Sequence, residues 1–571
     1  MTQISNALNI AQCALFAQQM GVYVTSNNIA NVNTPGYSRQ KLLLDTIEPM
    51  RTAYGPIGRG VRIDGVKRAY DSFLASQIAR ETSTLKKWET EDNMLSQVES
   101  LFNEFTGLGI SEALGEFWNA WQQLTMDPQG SVERADLLSK ASFLAGNLNR
   151  VYSHLSQIQK DIDISIGTAI DEINDLSSRI ADLNVMIAEA EIGNEVANDL
   201  RDQRGNLVKQ LAEKINFTSF EDDRGRLTIM FGGGKPLVEG GTNPWVLKGS
   251  VDLNNNGLLK IELDNNGGTL VDITSDISGG CLGGFLEVRD TVIDDLMTKL
   301  DNFTGSLIAE VNKIHSQGEG LTQFSSVTGT TTVADPNQVI GTLTLPVTVT
   351  SGSFWITAYD ASGIAEEVQI LVDPTTDTLN QVITSINTTA SFVTASYNGQ
   401  NLQLDADPGY TFTFAHDTNY PPDSSFLLAA LGVNTFFEGS DTSTISVNSQ
   451  LESDATKIAA AANRKAPGDN TNALLVVDLS TTLVLQSQTY TFDGYYDSIV
   501  SDVGIKVQSA STSWEYQNNV IKTLNDRLTS VSGVSLDEEM VNLIKYQNAY
   551  DAAARLISVI DEMMETIVHA V

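Results

Sequence analysis

Four groups of residues in this 571-residue chain have types and spacings that could do chemistry. The stretch "FGGGKP" puts glycines ahead of Lys235, as a phosphate-binding loop does. That loop also needs a glycine at 229 and a serine or threonine at 236, and the chain has Ile229 and Pro236 there, so no nucleotide site is expected. "DLNNNG", from Asp252, resembles the start of a calcium loop, yet its twelfth position is Leu263 where glutamate is required, and strand patterns flank it; a β-turn is the expectation. The four histidines, His154, His315, His416 and His569, are scattered singly. The pair His416-Asp417 makes a poor triad without a placed nucleophile, so structural roles are expected for all four. Cys13 and Cys281 alone give neither a disulfide framework nor a zinc pattern. No catalytic residue, cofactor site or metal site is expected, and the protein is read as not an enzyme.

Composition narrows the partners. With 71 acidic and 35 basic residues the net charge is −36, which repels phosphate backbones, so nucleic acid is not expected as a partner. No apolar run is long enough to insert across a bilayer. The N-terminal stretch lacks the basic and apolar regions of a cleavable secretory signal, so any export is expected to use another route. The length calls for several domains.

What remains is "SNNIANVNTPGYSRQ", residues 26–40, and the helix that must position it. Residues 1–32 read as a helix in which Ile4, Leu8, Ala11, Leu15, Val22 and Ile29 keep a 4-3 apolar spacing, with Gln18 and Thr25 filling the seam. No charge appears before Arg39. A solvated helix face normally carries charges, so an uncharged polar face points to burial among protein neighbours. Asparagine favours helix caps, Thr34 before Pro35 is pushed out of the helical region, and Pro35-Gly36 suits a type II turn. Asn28, Ala30, Asn31, Asn33, Thr34, Pro35, Gly36 and Tyr37 are therefore the signature turn that ends this helix. Hydrogen bonding between subunits is the expectation for its asparagines.

The far end mirrors this. Leu536–Val571 reads as an amphipathic helix with Leu536, Leu543, Tyr546, Tyr550, Ala553, Ile557, Ile560, Met564, Ile567 and Val571 in a 3-4 seam, Glu539 being the exception. Met540, Val541, Ile544, Leu556, Val559 and Met563 widen its apolar face. Ile4, Leu8, Leu15, Val22, Ile29, Leu543, Tyr550, Ile557, Ile560, Met564 and Ile567 are the expected subunit-interface residues. The fold class is multidomain α+β: coiled-coil-like terminal helices and a long-helix bundle, with an inserted β-rich outer part. The expected segments are a first inner helix (1–35) paired with the last (535–571), and a helical bundle (36–215) with helices near 70–103 and from Ser131 to Ala190. Then come a β-rich segment (216–283), a returning helix (284–320), a β-rich outer domain (321–450) and a second helical part (451–534). That last part is expected to hold helices near 454–464 and 494–530. No Lys or Arg occurs between residues 314 and 456. Within that stretch Leu343, Leu345, Val347 and Val349 alternate like a strand, as do Phe354, Ile356 and Ala358, and Asn398-Gly399 signals a two-residue type I′ hairpin.

"SNNIANVNTPGYSRQ" closely resembles the N-terminal signature of the bacterial flagellar axial proteins, the rod, hook and hook-associated family, and "TPGYSRQ" is similar to its hook-associated protein 1 branch. "NDLRDQRGNLVKQLAEKI", "EVNKIHSQGEGL", "LGVNTFFEGSDTSTISVN" and "SLDEEMVNLIKYQNAYDAAARLISVIDEMMETIV" resemble that branch in the expected order. The likeness implies a structural, non-enzymatic junction protein that polymerises as a ring between hook and filament. Terminal helices would form an inner tubular layer, a helical domain the next, and β domains the outside. It further implies unfolded export by the flagellar type III apparatus, a cytosolic chaperone on the C-terminal region, an extracellular place in the flagellum, and neighbours that include itself, the hook protein and the second junction protein (hook-associated protein 3). Cys13 departs from the small inert residue the family implies there, though a free cysteine behaves as a small hydrophobe. Competing readings are the hook protein itself, or a secreted β-domain adhesin or glycan-active enzyme.

Overall fold

Runs of good helix formers with 3.6-residue apolar spacing make long helices here, and Gly- and Asn-punctuated alternation makes short antiparallel strands. In the computed structural model, residues 2–52, 55–102, 109–192, 195–231, 234–265, 267–268, 270–415 and 422–570 are described. Helix α1 (Thr2–Ala30) leads into β1 (Gln40–Thr46), β2 (Met50–Thr52), β3 (Gly55–Ile57) and β4 (Val61–Arg68). β1 pairs antiparallel with β4 in the register Gln40↔Arg68, with a bulge at Leu43/Leu44. Helices α2 (Ser72–Leu101), α3 (Ile110–Met126), α4 (Ser131–Ala190) and α5 (Asn198–Lys214) follow. Two three-stranded sheets come next: β5 (Thr218–Glu221), β6 (Leu227–Phe231) and β7 (Lys235–Val238), then β8 (Val246–Val251), β9 (Leu259–Asp264) and β10 (Leu270–Asp272). Helix α6 (Gly280–Leu286) passes through a π-helical stretch, Glu287–Ile293, into α7 (Asp294–His315).

The remaining strands are β11 (Ser326–Thr328), β12 (Gly352–Asp360) and β13 (Gly363–Val372), then, after α8 (Leu379–Thr389), β14 (Val393–Tyr397), β15 (Leu402–Ala406) and β16 (Thr411–Thr413). They form two sheets, β13-β12-β16 and β11-β15-β14. After α9 (Leu427–Ala430), the short pair β17 (Phe437–Glu438) and β18 (Ser446–Val447) leads to α10 (Ser449–Ser453), α11 (Thr471–Asp478), α12 (Phe492–Ser532) and α13 (Leu536–Ala570).

The chain divides into two compact units. One holds Met1–Met94, Asp161–Val288 and Gln508–Val571. In it α1 lies along α13, and asparagines on α4 dock the small sheets by bonding strand backbone. The Asn174 side chain donates to Leu247 O and accepts from Leu247 N, both at 2.9 Å. Asn184 donates to Leu227 O at 2.8 Å and accepts from Leu227 N at 3.0 Å. A helix side chain thereby satisfies backbone groups that no strand reaches.

The other unit holds Leu95–Lys160 and Arg289–Val507. One of its cores is aromatic: Phe117 and Trp121 from α3 meet Phe436, and Trp118 and Phe303 meet Phe492, with ring centroids 5.2–6.4 Å apart. A second core lies between the β11–β16 strands and α8, where Phe354, Ile356, Ile370, Leu404, Phe412, Val382 and Ile386 are buried. Helix α8 begins with a capping box between Thr378 and Gln381.

Several expectations need correction. The residues read as one bundle, 36–215, are shared between the units, and the strands of 216–283 belong with the terminal helices. Residues 454–464 are not a helix. Only a 3-10 turn, Ala455–Lys457, forms before an irregular strap whose backbone is held by other groups: Ala459 N–H donates to His315 Nε2 at 3.0 Å, Ala461 bridges Glu319, and Asp469 accepts from Ala462 N. Tertiary bonding overrides the helix propensity of the alanine run. The alternating residues 343–349 form no strand, because Leu343, Leu345 and Val349 pack as irregular chain against the β-rich core. The Asn398-Gly399 hairpin does connect β14 to β15, but through four residues, with Asn398 Oδ1 accepting from the amides of Gln400 and Asn401. Helix α3 was not anticipated. On α4 the apolar residues at 3-4 spacing (Leu137, Ala141, Leu144, Leu148, Val151, Leu155, then Ile162 to Ile187) are buried; Ile158 is half-buried, and the neighbouring Gln159 turns inward and donates to Arg289 O at 3.1 Å.

Candidate assembly joint of the terminal helices

Helix α1 stops where its asparagines take over the backbone bonding. The Asn31 side chain donates to Asn27 O at 3.0 Å and accepts from Thr34 Oγ1 at 3.0 Å. Tyr37 N–H then closes on Thr34 O at 3.2 Å, and Gly36 between them takes φ +77°, the geometry of a type II turn. Glycine is needed there twice over: the positive φ disfavours a side chain, and a Cβ would fall 2.0 Å from Asn206 Oδ1.

Asn28 is the centre of the joint. It is buried, and all four of its bonding positions are filled within the chain. Its amide donates to Gln40 O at 2.9 Å and to Glu539 Oε2 at 3.0 Å; its carbonyl accepts from Gln40 N at 2.9 Å and from Tyr37 Oη at 2.8 Å. Glu539, at 2% exposure, is held from its other oxygen by Arg39 Nη2 at 2.7 Å, while Arg39 Nη1 reaches Glu538 at 2.8 Å. The first charge in the chain is thus paired across the start of α13, where acidic residues also favour the helix dipole.

The chain leaving the turn docks on the first turns of α5. Asp202 accepts from Ser38 N and Ser38 Oγ, each at 2.8 Å, and pairs with Arg68 at 2.7 Å, both side chains being buried. Gln40 donates to Asp199 at 2.9 Å, and Asn198 brackets β4 through Arg68 N and Val66 O. Burial, and then Asp199, Asp202 and Glu539, push the Tyr37 phenol up. Every polar group just named is consumed by a partner in the same chain, an arrangement that fixes geometry and leaves no atom poised to react.

The other anticipated residues fall as follows. Ala30, Asn33, Thr34, Pro35 and Gly36 are exposed, and Asn31 and Tyr37 are half-buried. Ile4, Leu8, Leu15, Val22 and Ile29 are only half-buried. The residues of α1 that are fully buried are Ala11, Ala17, Gly21, Val24, Thr25 and Asn28, a stripe displaced by about one residue from the anticipated seam. Gly21 is the reason: a Cβ there would lie 2.6–2.8 Å from the Tyr546 ring, so the small-residue face makes the close approach and the larger aliphatics flank it. On α13, Ile560 is buried, Leu543, Tyr550 and Ile557 are half-buried, and Met564 and Ile567 are exposed. Val571 and His416 lie outside the described residues. The bonding of Asn28 is intramolecular, which corrects the expectation of intersubunit bonds for that residue. Sequence reasoning missed Glu539, Arg39, Asp199 and Asp202. The available signals were a lone glutamate in an apolar seam and the i, i+4 spacing of Asn198 and Asp202, which puts both on one helix face.

Beyond the joint, both terminal helices present apolar surface that no described residue covers: Phe16 and Tyr23 on α1, and Met540, Val541, Ile544, Leu556, Val559, Met563 and Val568 on α13. Among the described residues no helix is long and apolar enough to cross a membrane.

Comparisons with known proteins agree with this layout. The model described as "Flagella basal body rod protein" matches residues 8–37, "Flagellar hook-associated protein FlgK helical domain" matches 95–330, and "Flagellar basal body rod FlgEFG protein C-terminal" matches 527–569. Flagellar hook-associated protein 1 of Salmonella typhimurium is 26% identical over 582 residues, covering 99% of this chain and 100% of the relative. Its counterparts in Escherichia coli and Bacillus subtilis are 26% and 25% identical over 578 and 581 residues. The solved flagellar hook junction protein FlgK from Burkholderia pseudomallei shares the fold, with a TM-score of 0.55 over 80% of this chain and 100% of that one, at 16% identity. Flagellar family models thus match the signature turn, the helical domain and the C-terminal helix in chain order, and the whole length of the chain is similar to flagellar hook-associated protein 1 of these relatives.

Proposed function

We propose that this chain is the structural, non-enzymatic adaptor that polymerises as a ring at the junction of hook and filament. The observation that carries the reading is the uncovered apolar surface on α1 and α13. Isolated exposed hydrophobics are ordinary, but contiguous apolar stripes on paired helices call for partners, and in a family of axial proteins the partners are copies and relatives of the chain. The polar joint at Asn28 and Glu539 holds the two helices together so that they present one composite surface. Neighbours on either side would be the hook protein and the second junction protein, hook-associated protein 3. Ile4, Leu8, Leu15, Val22, Ile29, Leu543, Tyr550 and Ile557, half-covered by the chain itself, would complete their burial in the ring. The flagellar type III apparatus would export the chain unfolded, after a cytosolic chaperone has bound its C-terminal region and covered α13. Deleting the gene tests the reading: cells should carry hooks without filaments and release unpolymerised flagellin into the medium. Cells that swim normally after the deletion would refute it.

A further inference from the structure

We propose that the ribbon of strands β1–β4 in one copy docks on the outer face of helix α13 in the next copy, with Arg51 and Arg59 against Asp561 and Glu562. The ribbon is a basic island in an acidic chain. Residues 39–68 hold seven of the 35 basic residues and only three acidic ones, whereas α13 holds seven acidic residues and two basic. Arg39 is paired with Glu538 and Glu539, Arg62 with Asp45, and Arg68 with Asp202. The surplus is left outside: Lys41, Arg51, Arg59 and Lys67 are exposed and have no ion-pair partner among the described residues. Lys41 stands directly opposite Lys67 in the β1–β4 register, a like-charge pairing that costs stability unless an anion lies across it. On α13, Asp551, Asp561 and Glu562 are exposed and likewise without an ion pair among the described residues.

Geometry sets the two surfaces at one level. Asn28 bonds Glu539, and Gly21, one heptad before Asn28, abuts the ring of Tyr546, one heptad after Glu539, so α1 and α13 run antiparallel in step. The same step brings Asn6 level with Asp561. The ribbon follows α1 to that end: a Cβ on Gly60 would lie 3.3 Å from Ile10 Cα, and the Asn6 amide reaches Met50 Sδ at 3.9 Å. Arg51 and Arg59 at the ribbon tip therefore share a height with Asp561 and Glu562, yet within one copy no ion pair joins them among the described residues. Each patch has an apolar centre as well: Met50 and Ile57, opposite in register, on the tip, and Val559 and Met563 on the helix, all exposed. Two complementary patches at one height on the same molecule make a head-to-tail contact, which repeats from copy to copy and closes into a ring or winds into a helix. A second copy is the occupant because the chain itself supplies the opposite charge at the matching height; the inference rests on the axial reading and adds which surfaces meet.

The test exchanges the charges in the full-length chain expressed in its host and reads the amount of chain in isolated flagella. Arg51→Glu/Arg59→Glu and Asp561→Arg/Glu562→Arg should each cut incorporation roughly tenfold, and the chain with all four substitutions should recover most of it. That recovery separates a lost contact from a lost fold or a lost export step. Independently, benzoylphenylalanine placed at Ile57, exposed at the ribbon tip, should on irradiation of flagella give a dimer-sized adduct that maps to α13. Undiminished incorporation of either charge reversal, no recovery in the fourfold variant, or an adduct that is absent, maps elsewhere or contains another protein overturns the docking while the axial reading stands. Absence of the unaltered chain from the flagella overturns both.

Discussion

The Asn28 side chain donates to Glu539 at 3.0 Å across 511 residues of sequence, and this one bond joins the signature turn to the last helix. Asn28→Asp would set two carboxylates against each other in a buried site, and should lower stability by about 3 kcal/mol. Glu539→Gln alone should also destabilise, because Arg39 then loses a buried partner. The double variant Asn28→Asp/Glu539→Gln restores a donor opposite an acceptor and leaves Arg39 facing an amide oxygen. Its urea midpoint should exceed that of Asn28→Asp, a coupling that a double-mutant cycle reads directly.

Gly36 is constrained by its φ of +77° and by Asn206, which stands where a Cβ would go. Gly36→Ala should cost about 1–3 kcal/mol. Adding Asn206→Ala should recover the steric part only, so the double variant should fall between wild type and Gly36→Ala in thermal unfolding.

His315 is fully buried, accepts from Ala459 N at 3.0 Å through Nε2, and so must donate to Asn434 O through Nδ1 at 2.8 Å. That tautomer is neutral. Burial, aided by nearby Arg134, lowers its pKa from 6.5 to about 4, against the opposing bond to Asn434. Between those two values the unfolded chain binds a proton that the folded chain does not, so stability falls as pH drops from 6.5 towards 4. The loss amounts to up to about 3 kcal/mol. His315→Gln should be less stable at pH 7 but should lose less between pH 7 and 5 than wild type, in urea midpoints measured at both.

Ile560 and Val541 separate folding from assembly. Ile560 is 4% exposed and Val541 66% exposed in the single chain. Ile560→Asp should loosen α13 in the monomer itself, by about 2–5 kcal/mol locally. Val541→Asp should leave the monomer's circular dichroism melt within about 0.5 kcal/mol of wild type and yet keep the chain out of flagella. Normal incorporation of Val541→Asp would show that this stripe faces solvent in the polymer.

Much of this was legible in the residues. The terminal helices, the 131–190 helix and the stop at Pro35-Gly36 follow from period and turn chemistry alone. What stayed hidden depended on distant partners. The glutamate that breaks the α13 seam reads as a flaw until Asn28 and Arg39 stand beside it. The rotation of α1 is set by Gly21 against one tyrosine ring, a close approach that periodicity does not encode. The alanine run at 459–462 looks helical locally, but His315, Glu319 and Asp469 bond its backbone first.

Hydrogen exchange at residues 556–569, compared between the purified chain and isolated flagella, bears most directly on whether the terminal helices complete their burial among copies. Fast exchange in the monomer and strong protection in the flagella is the predicted result; protection already complete in the monomer, or none gained in the flagella, would contradict it.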